Sequence, residues 1–245
     1  MARIFITGSA DGLGQLSAKA LIHLGHKVVL HARNVERARD AMEKNPEAEN
    51  VLTGDLSIME ETIQLAKQAN ETGAFDAVIH NAGVYQVSGK HIYAVNTIAP
   101  YILTSLMKKP KRLIYLSSGM HQGGRLNLGN FKSGSISYSD SKLHVLLLCK
   151  AVTRKWPAVY SNAIDPGWVP TKMGGPGAPD DLQKGYETQV WLAVSNDEKA
   201  KVSGRYFFHQ QEKRSNPEAD DVDVQEKFLN ICREITGISF PDSTG

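Results

Sequence analysis

Arg3-Ile4-Phe5-Ile6-Thr7-Gly8-Ser9-Ala10-Asp11-Gly12-Leu13-Gly14 opens the chain, and this stretch decides the fold. Arg3 to Thr7 reads as a strand. An amphipathic helical pattern from Gly14 to Leu24 follows, with three glycines between or at the junction. Glycine lets the backbone turn tightly and come close to a pyrophosphate, whose charge suits a helix N-terminus. The spacing, Gly8-x-x-x-Gly12-x-Gly14, differs from the commoner Gly-x-Gly-x-x-Gly.

Outward from this stretch, short β-like runs alternate with longer helical patterns. Further strands are expected at Lys27 to His31, Asn50 to Gly54, Ala77 to His80, Arg112 to Leu116, Val159 to Ile164 and Arg205 to Phe208. Several are nearly continuous Val, Ile, Leu or Phe, as in strands covered on both faces. Helices are expected at Val35 to Lys44, from a Ser57-Ile58-Met59-Glu60 capping box to about Asn70, and at Ser139 to Lys155, Asp180 to Val194 and Val222 to Ile235. Alternation of this kind implies an α/β, Rossmann-type doubly wound parallel sheet of about seven strands with helices on both faces. Gly119 to Ser137 and Pro166 to Pro179, the latter holding four of the ten prolines, read as loops at strand C-ends, where sites form. The whole chain, residues 1–245, reads as a single domain.

Composition narrows the function classes. With 28 basic and 26 acidic residues among 245, the charge is too balanced for a nucleic-acid footprint. Two cysteines, Cys149 and Cys232, suggest buried thiols in a reducing compartment rather than a disulfide framework or a metal site. No apolar run approaches the roughly 20 residues of a spanning helix. The first strand begins too near Met1 for a signal peptide. A cytoplasmic protein without a membrane span is therefore expected.

The remaining motifs sit at strand C-ends. The second strand runs into Ala32-Arg33-Asn34 with no acidic residue at its tip. An acidic side chain there accepts from a ribose 2′-hydroxyl, whereas an arginine pairs with a 2′-phosphate, so NADP(H) is favoured over NAD(H). Asp55, in Gly54-Asp55-Leu56, either accepts from an adenine amino group or serves as a helix-entry aspartate. Asn81-Ala82-Gly83 offers small residues for close cofactor approach. Ser118 ends the fifth strand region and can hold a substrate oxygen. Tyr138 and Lys142 lie four residues apart and share a helix face, where a cation near a phenol lowers the phenol pKa and suits it to proton transfer. Asp165-Pro166-Gly167-Trp168-Val169-Pro170-Thr171 turns the chain, and Thr171 offers a hydroxyl to the nicotinamide amide or a phosphate.

Taken in order, these pieces resemble the short-chain dehydrogenase/reductase family over nearly the whole chain. The marks are Thr7-Gly8-x-x-x-Gly12-x-Gly14, Asn81-Ala82-Gly83, Asn96 in Tyr93-Ala94-Val95-Asn96, Ser118, Tyr138-x-x-x-Lys142 and Pro166-Gly167. The resemblance implies hydride transfer between a nicotinamide cofactor and a small-molecule carbonyl or alcohol. Tyr138 is then general acid or base, and Lys142 holds the nicotinamide ribose and lowers the Tyr138 pKa. Ser118 orients the substrate, and Asn96 positions a water. Cofactor contacts are implied at Gly8, Ser9, Asp11, Gly12, Leu13, Gly14, Arg33, Asn34, Asp55, Leu56, Asn81, Ala82, Gly83, Tyr138, Lys142, Pro166, Gly167, Val169 and Thr171.

Arg33 and the long Ser118-to-Tyr138 segment resemble the retinol-dehydrogenase-like branch. Short intervals around Asn96 suggest trimmed helices there, and with them an altered surface for the homo-oligomer such proteins often form. Substrate walls are expected from Met120, His121, Tyr93, Trp168, Val169 and Met173, with Pro170 to Pro179 as a lid. The same fold can also carry a non-catalytic NADP(H) sensor. The intact Asn96, Ser118, Tyr138 and Lys142 set argues for an enzyme. A sugar-nucleotide epimerase or dehydratase ranks last, because little chain follows Asn196 to build a substrate domain.

Overall fold

Alternation explains why the strands read as unbroken apolar runs. In the computed structural model, which describes residues 1–242, Phe5 of strand β1 (Arg3–Ile6) joins one buried cluster while its neighbours Ile4 and Ile6 join the other. The same division runs through β2 (Lys27–Ala32), β4 (Ala77–His80) and β5 (Arg112–Leu116): Val29, Val78, Leu113 and Tyr115 pack on one side, Val28, Leu30, Ile79, Ile114 and Leu116 on the other. Successive side chains point to opposite faces, so a sheet covered twice needs apolar residues at every position.

With β3 (Asn50–Thr53), β6 (Tyr160–Asp165), β7 (Tyr206–Phe208) and β8 (Gln211–Lys213) they form one sheet of order β3-β2-β1-β4-β5-β6-β7-β8. Every pairing is parallel except the antiparallel β7–β8 pair. The chain winds outward from β1 to β3, then crosses back to β4 on the other side of β1. The C-terminal ends of β1 and β4 therefore open a crevice at the switch of direction.

Helices α1 (Gly12–His23), α2 (Val35–Lys44) and α8 (Leu182–Val194) cover one face, with Leu21, Ala41 and Leu192 in its core. Helices α3 (Met59–Glu71), α5 (Ala99–Leu106), α7 (Tyr138–Lys155) and α9 (Val222–Thr236) cover the other. Helix α7 is held hardest: Leu143, Leu146, Leu147, Cys149, Ala151 and Val152 are all fully buried. Each large apolar side chain among them is worth at most about 1.5–3 kcal/mol. Its first turn is fixed as well, by a capping box between Ser137 and Asp140. Tyr138 and Lys142 thus stand on a helix with little freedom to shift.

Four expectations are corrected. The sheet has eight strands, because Gln211–Lys213 pairs with β7 through a turn in which His209 and Gln210 both have positive φ. All three residues of β8 are exposed, so no apolar pattern announces it. Ser57 does not cap α3: its hydroxyl donates to Asp55, and the residue preceding α3, Ile58, makes no side-chain cap.

The interval after β4, where trimmed helices were expected, holds α4 (Gly89–Ile92), a π-helical turn (Tyr93–Ile98) and α5 in series. Gly119 to Ser137 is not all loop either, since it holds a 3₁₀ turn (Gly119–Gly123) and α6 (Leu128–Lys132), with Phe131 fully buried. The flanks of α5 and α7 are covered by the C-terminal segment: Tyr101 donates to the Ile238 carbonyl, and Trp156 donates to that of Pro241 and stacks on Phe240.

Candidate active site

The crevice between β1 and β4 is closed at its base by one clamp. Asn81 Nδ2 donates to the carbonyls of Thr7 and Gly8 at 2.9 and 3.1 Å, and Thr7 Oγ1 accepts from the Ala82 amide at 3.0 Å. The glycines are sterically required here. A Cβ on Gly14 would lie 2.4 Å from Asn81 Nδ2, and one on Gly8 would lie 2.9 Å from Ala82 Cα. Gly8 and Gly12 also have positive φ, of 64° and 54°. Asp11 caps α1 by accepting from the Gly12 amide, and it pairs with Arg37 and Lys172. At Gly8, Gly12 and Gly14 this cradle brings backbone without a Cβ up to a helix N-terminus, which fits a pyrophosphate, while the Asp11 carboxylate occupies the Gly12 amide.

At the C-end of β5, Ser118 and Tyr138 line the same cleft, with the Ser118 hydroxyl near enough to act on the Tyr138 phenol. Lys142 Nζ lies 5.3 Å from the centre of the Tyr138 ring and donates to the Leu116 carbonyl at 2.8 Å. Burial pushes this lysine down to about 8, against the raising effect of the Asp165 carboxylate. The Tyr138 phenol is pushed up, first by burial and then by Asp165 and Tyr85, with only Ser118 acting to lower it. The expected lowering by Lys142 is thus not realised here, because the ammonium faces the ring and the Leu116 carbonyl rather than the phenol oxygen. Asn96 sits in the π-helical turn. Its side chain accepts from the Val84 amide and donates to the Val84 carbonyl and Ser141 Oγ, tying the loop after β4 to α7.

Above Ser118 and Tyr138 lies a cleft of about 780 Å³, lined in part by Leu13, Tyr85, Met120, Trp168, Phe208 and Asp165. Val169, Thr171, Lys172 and Met173 line it too, so the loop after β6 forms one wall. That loop is fastened by Trp168 Nε1 donating to the Gly174 carbonyl, by Asp180 accepting from the Trp168 amide, and by the Lys172–Asp11 pair. Among the described residues, no helix is long and apolar enough to cross a membrane.

Comparison with known proteins fits this geometry. A model for short chain dehydrogenase matches residues 2–107. The chain is 46% identical to an uncharacterized oxidoreductase of Emericella nidulans, the alignment covering 98% of this chain and 99% of that protein. It is 40% identical to the short-chain dehydrogenase chyC of Penicillium rubens, over 98% of this chain and all of that one. The chain belongs to the short-chain dehydrogenase/reductase family. It is accordingly an NAD(P)-dependent oxidoreductase. Human retinol dehydrogenase 14 is 27% identical over 96% of this chain and 86% of its own, so the resemblance extends to that branch. Among solved structures, an uncharacterized protein from Mycobacterium paratuberculosis superposes with a TM-score of 0.78 at 21% identity, covering 98% of this chain and 95% of that one. A short chain dehydrogenase from Shigella flexneri, complexed with NADP, gives 0.68 at 23% identity over 86% and 97% of the two chains.

Several sequence expectations for this dehydrogenase's site change in detail. Tyr93 does not line the cleft but packs edge-on against Phe131, and burial raises its phenol. His121 is fully buried: Nδ1 donates to the Ser118 carbonyl at 2.6 Å and Nε2 accepts from the Asn216 amide, so it props Ser118 from behind. Asp55 takes the helix-entry alternative for one oxygen, accepting from both the amide and the hydroxyl of Ser57. Asn34 caps α2 by accepting from the Arg37 amide, which leaves Arg33 exposed at the strand tip. Leu56 is buried in the core, and Pro166, Gly167 and Val169 form the turn against Gly185 of α8.

Sequence reading missed Tyr85, Gln86, Arg37 and His31. The Tyr85 ring packs tilted against Tyr138, with centres 4.6 Å apart, and its neighbour Gln86 holds a φ of 56°. Neither the Tyr85 contact nor the Arg37–Asp11 contact has a motif to reveal it. His31, fully enclosed at the end of β2, accepts from the Gly8 amide on Nδ1 and donates from Nε2 to the Gly54 carbonyl. It thereby holds the glycine loop against β3.

The buried histidines set an acid limit. Burial pushes His31 and His144 down to about 4 and His80 to about 3, from 6.5. Unfolding lets all three take up protons that the native state refuses. Their contribution to stability is therefore complete above about pH 6.5 and is lost as pH falls towards 4. The urea midpoint is expected to drop over that window. In His31→Gln, which keeps an acceptor for Gly8 and a donor for Gly54, the drop is expected to be shallower; an unchanged slope would remove His31 from this account.

Proposed function

We propose that this dehydrogenase is an NADP(H)-dependent carbonyl reductase and alcohol dehydrogenase, the whole chain acting as one cofactor-binding domain. The carrying observation is the Ser118–Tyr138 hydroxyl pair at the floor of the cleft, with Lys142 beneath the ring. The glycine cradle would take the pyrophosphate, with Gly8, Gly12 and Gly14 against it. The loop from Pro166 to Thr171, with Asn81 to Gly83, would enclose the nicotinamide end. A bound nicotinamide supplies or accepts the hydride.

The chain's own groups do the rest. Ser118 holds the substrate oxygen by a hydrogen bond. Tyr138 Oη gives that oxygen a proton in reduction and takes it back in oxidation. Among the described residues Lys142 has no carboxylate partner within ion-pair distance, and its ammonium is placed to turn from the Leu116 carbonyl to a ribose hydroxyl and the Tyr138 oxygen. Asn96 keeps α7 and the loop after β4 in register.

The 2′-phosphate preference rests on Arg33, with Arg37 close by on α2 and no acidic residue at the end of β2. The Shigella flexneri relative in complex with NADP supports it. Removing one charge-assisted contact costs about 1.5–3 kcal/mol, or about ten- to a hundredfold. Arg33→Ala is therefore expected to weaken NADPH binding by that factor and to leave NADH binding nearly unchanged, as read by nicotinamide fluorescence titration. Equal or tighter binding of NADH to the wild type would refute the preference. The reaction itself is tested by following NADPH absorbance with a panel of aldehydes, ketones and quinones. No turnover despite NADPH binding would favour a sensor of the cofactor over a reductase.

A further inference from the structure

Asp165 is a carboxylate in the wall of the reaction cleft that the proposed chemistry does not use. It ends β6. One oxygen accepts from the Gly167 amide at 2.9 Å and the other from the Tyr206 hydroxyl at 3.2 Å. Both donors are neutral. Two bonds leave a carboxylate with unused lone pairs. Lys142 feels its charge, but the Lys142 ammonium donates to the Leu116 carbonyl, and no basic side chain pairs with Asp165 among the described residues.

Gly119 packs closely on it: a Cβ there would stand 3.1 Å from Asp165 Oδ2. Gly119 directly follows Ser118, so the carboxylate adjoins the position where the reacting oxygen is to be held. The charge also reaches the reaction centre, since Asp165 is among the groups that raise the Tyr138 phenol.

Charge elsewhere in the cleft has the same sign. Asp180 is a second lining carboxylate, and the one lining lysine, Lys172, is paired with Asp11. Large apolar side chains stand among the serines and glycines of the wall, and three of them face solvent: Trp168 is 61% exposed, Met173 47% and Met120 46%. Exposed apolar side chains gathered at one mouth mark a surface that a bulky apolar ligand covers. Such a ligand also removes water from Asp165. A neutral ligand leaves that cost unanswered, a carboxylate adds repulsion, and an ammonium offsets it.

We infer that the cleft selects bulky, ring-bearing carbonyl compounds that carry a protonated amine, and that Asp165 is the residue that recognises the amine. This rests on the carbonyl-reductase reading of the same site, and its test is separable from that reading. Two aryl ketones of nearly equal shape serve as probes, para-(aminomethyl)acetophenone and para-ethylacetophenone, with beta-aminopropiophenone and butyrophenone as a second pair placing the ammonium nearer the carbonyl. Dissociation constants are measured on the enzyme–NADPH complex from the nicotinamide-fluorescence quenching present immediately after rapid mixing, before any ketone is reduced.

In at least one pair the ammonium ketone is expected to bind about tenfold tighter or better, an advantage of about 1.4 kcal/mol. Asp165→Asn can keep an acceptor for Gly167 and a polar partner for Tyr206, so the turn is retained while the charge is lost. In that variant the ratio within the pair is expected to fall towards one. A ratio near one in the wild type for both pairs overturns the inference, as does a ratio that survives Asp165→Asn. Equal weakening of both members would assign Asp165 to holding the turn alone and overturn it too. Tyr138-dependent oxidation of NADPH with the neutral ketones tests the reductase reading by itself, whatever the ratio.

Discussion

Tyr138→Phe is expected to lower turnover by about 10²–10⁴-fold, the usual contribution of a positioned general acid or base, with cofactor affinity and melting temperature near those of the wild type. The substitution removes one oxygen and little else. The ring keeps its tilted contact with Tyr85 at 4.6 Å and its place above Lys142 at 5.3 Å. The first turn of α7 keeps its Ser137–Asp140 cap. What disappears is the hydroxyl beside Ser118 and the proton it carries.

Direction and pH follow from the same environment. A phenol raised by burial and by Asp165 stays protonated through neutral pH, so it is ready to donate in carbonyl reduction. Acting as a base in alcohol oxidation requires the phenolate, so oxidation is expected to rise with pH while reduction is flat at lower pH and falls through about 8, where half of the Lys142 charge is lost. Turnover near wild type in the Phe variant would take the acid/base role away from Tyr138.

The fold was legible wherever burial on both faces writes an unbroken apolar run. Val78 and Ile79 point into opposite cores, and both had to be apolar. What escaped was structure without that pattern. Strand β8 is polar and exposed, held by backbone pairing to β7. The π-helical turn around Asn96 packs on α7, as α4 does, a long-range condition that no local spacing records.

The site divides in the same way. Gly14, Ser118, Tyr138 and Lys142 were readable because chemistry demands those residue types at those intervals. Their supports were not. His31 props the glycine loop from β2, His121 props Ser118 from behind, and Tyr85 covers Tyr138, each across many residues of sequence. A histidine near a candidate serine invites a catalytic reading. Here Nδ1 and Nε2 of His121 are both spent on backbone, to Ser118 and Asn216, which leaves nothing for substrate. Asp165 was visible in the sequence as part of a turn, and only the three-dimensional cleft reveals its second exposure, towards the reacting groups.

The glycine loop offers the sharpest conflict between local propensity and packing, and Gly14→Ala resolves it. Alanine is the better helix former by about 1 kcal/mol, and Gly14 lies in the first turn of α1, so propensity alone forecasts a more stable protein. Packing forecasts the reverse. The added methyl would sit 2.4 Å from Asn81 Nδ2, 2.5 Å from the Gly8 carbonyl oxygen and 3.0 Å from Ser9 Cα. Two of these are backbone atoms, and Asn81 is fixed by its bonds to Thr7 and Gly8.

Nothing there yields as the end of a flexible side chain would, so α1 must move away from β4. Overpacking costs about 1–3 kcal/mol and occasionally more, enough to exceed the propensity gain. The expected result is a lower urea midpoint together with a loss of NADPH affinity of about a hundredfold or more, since the displaced helix N-terminus is the proposed phosphate seat. Gly25→Ala is the control. Gly25 has a φ of 80° but nothing within 4 Å of an added Cβ, so it should cost backbone strain alone and leave NADPH binding intact. If Gly14→Ala binds NADPH as the wild type does, the cradle between Gly8 and Gly14 is not where the pyrophosphate sits.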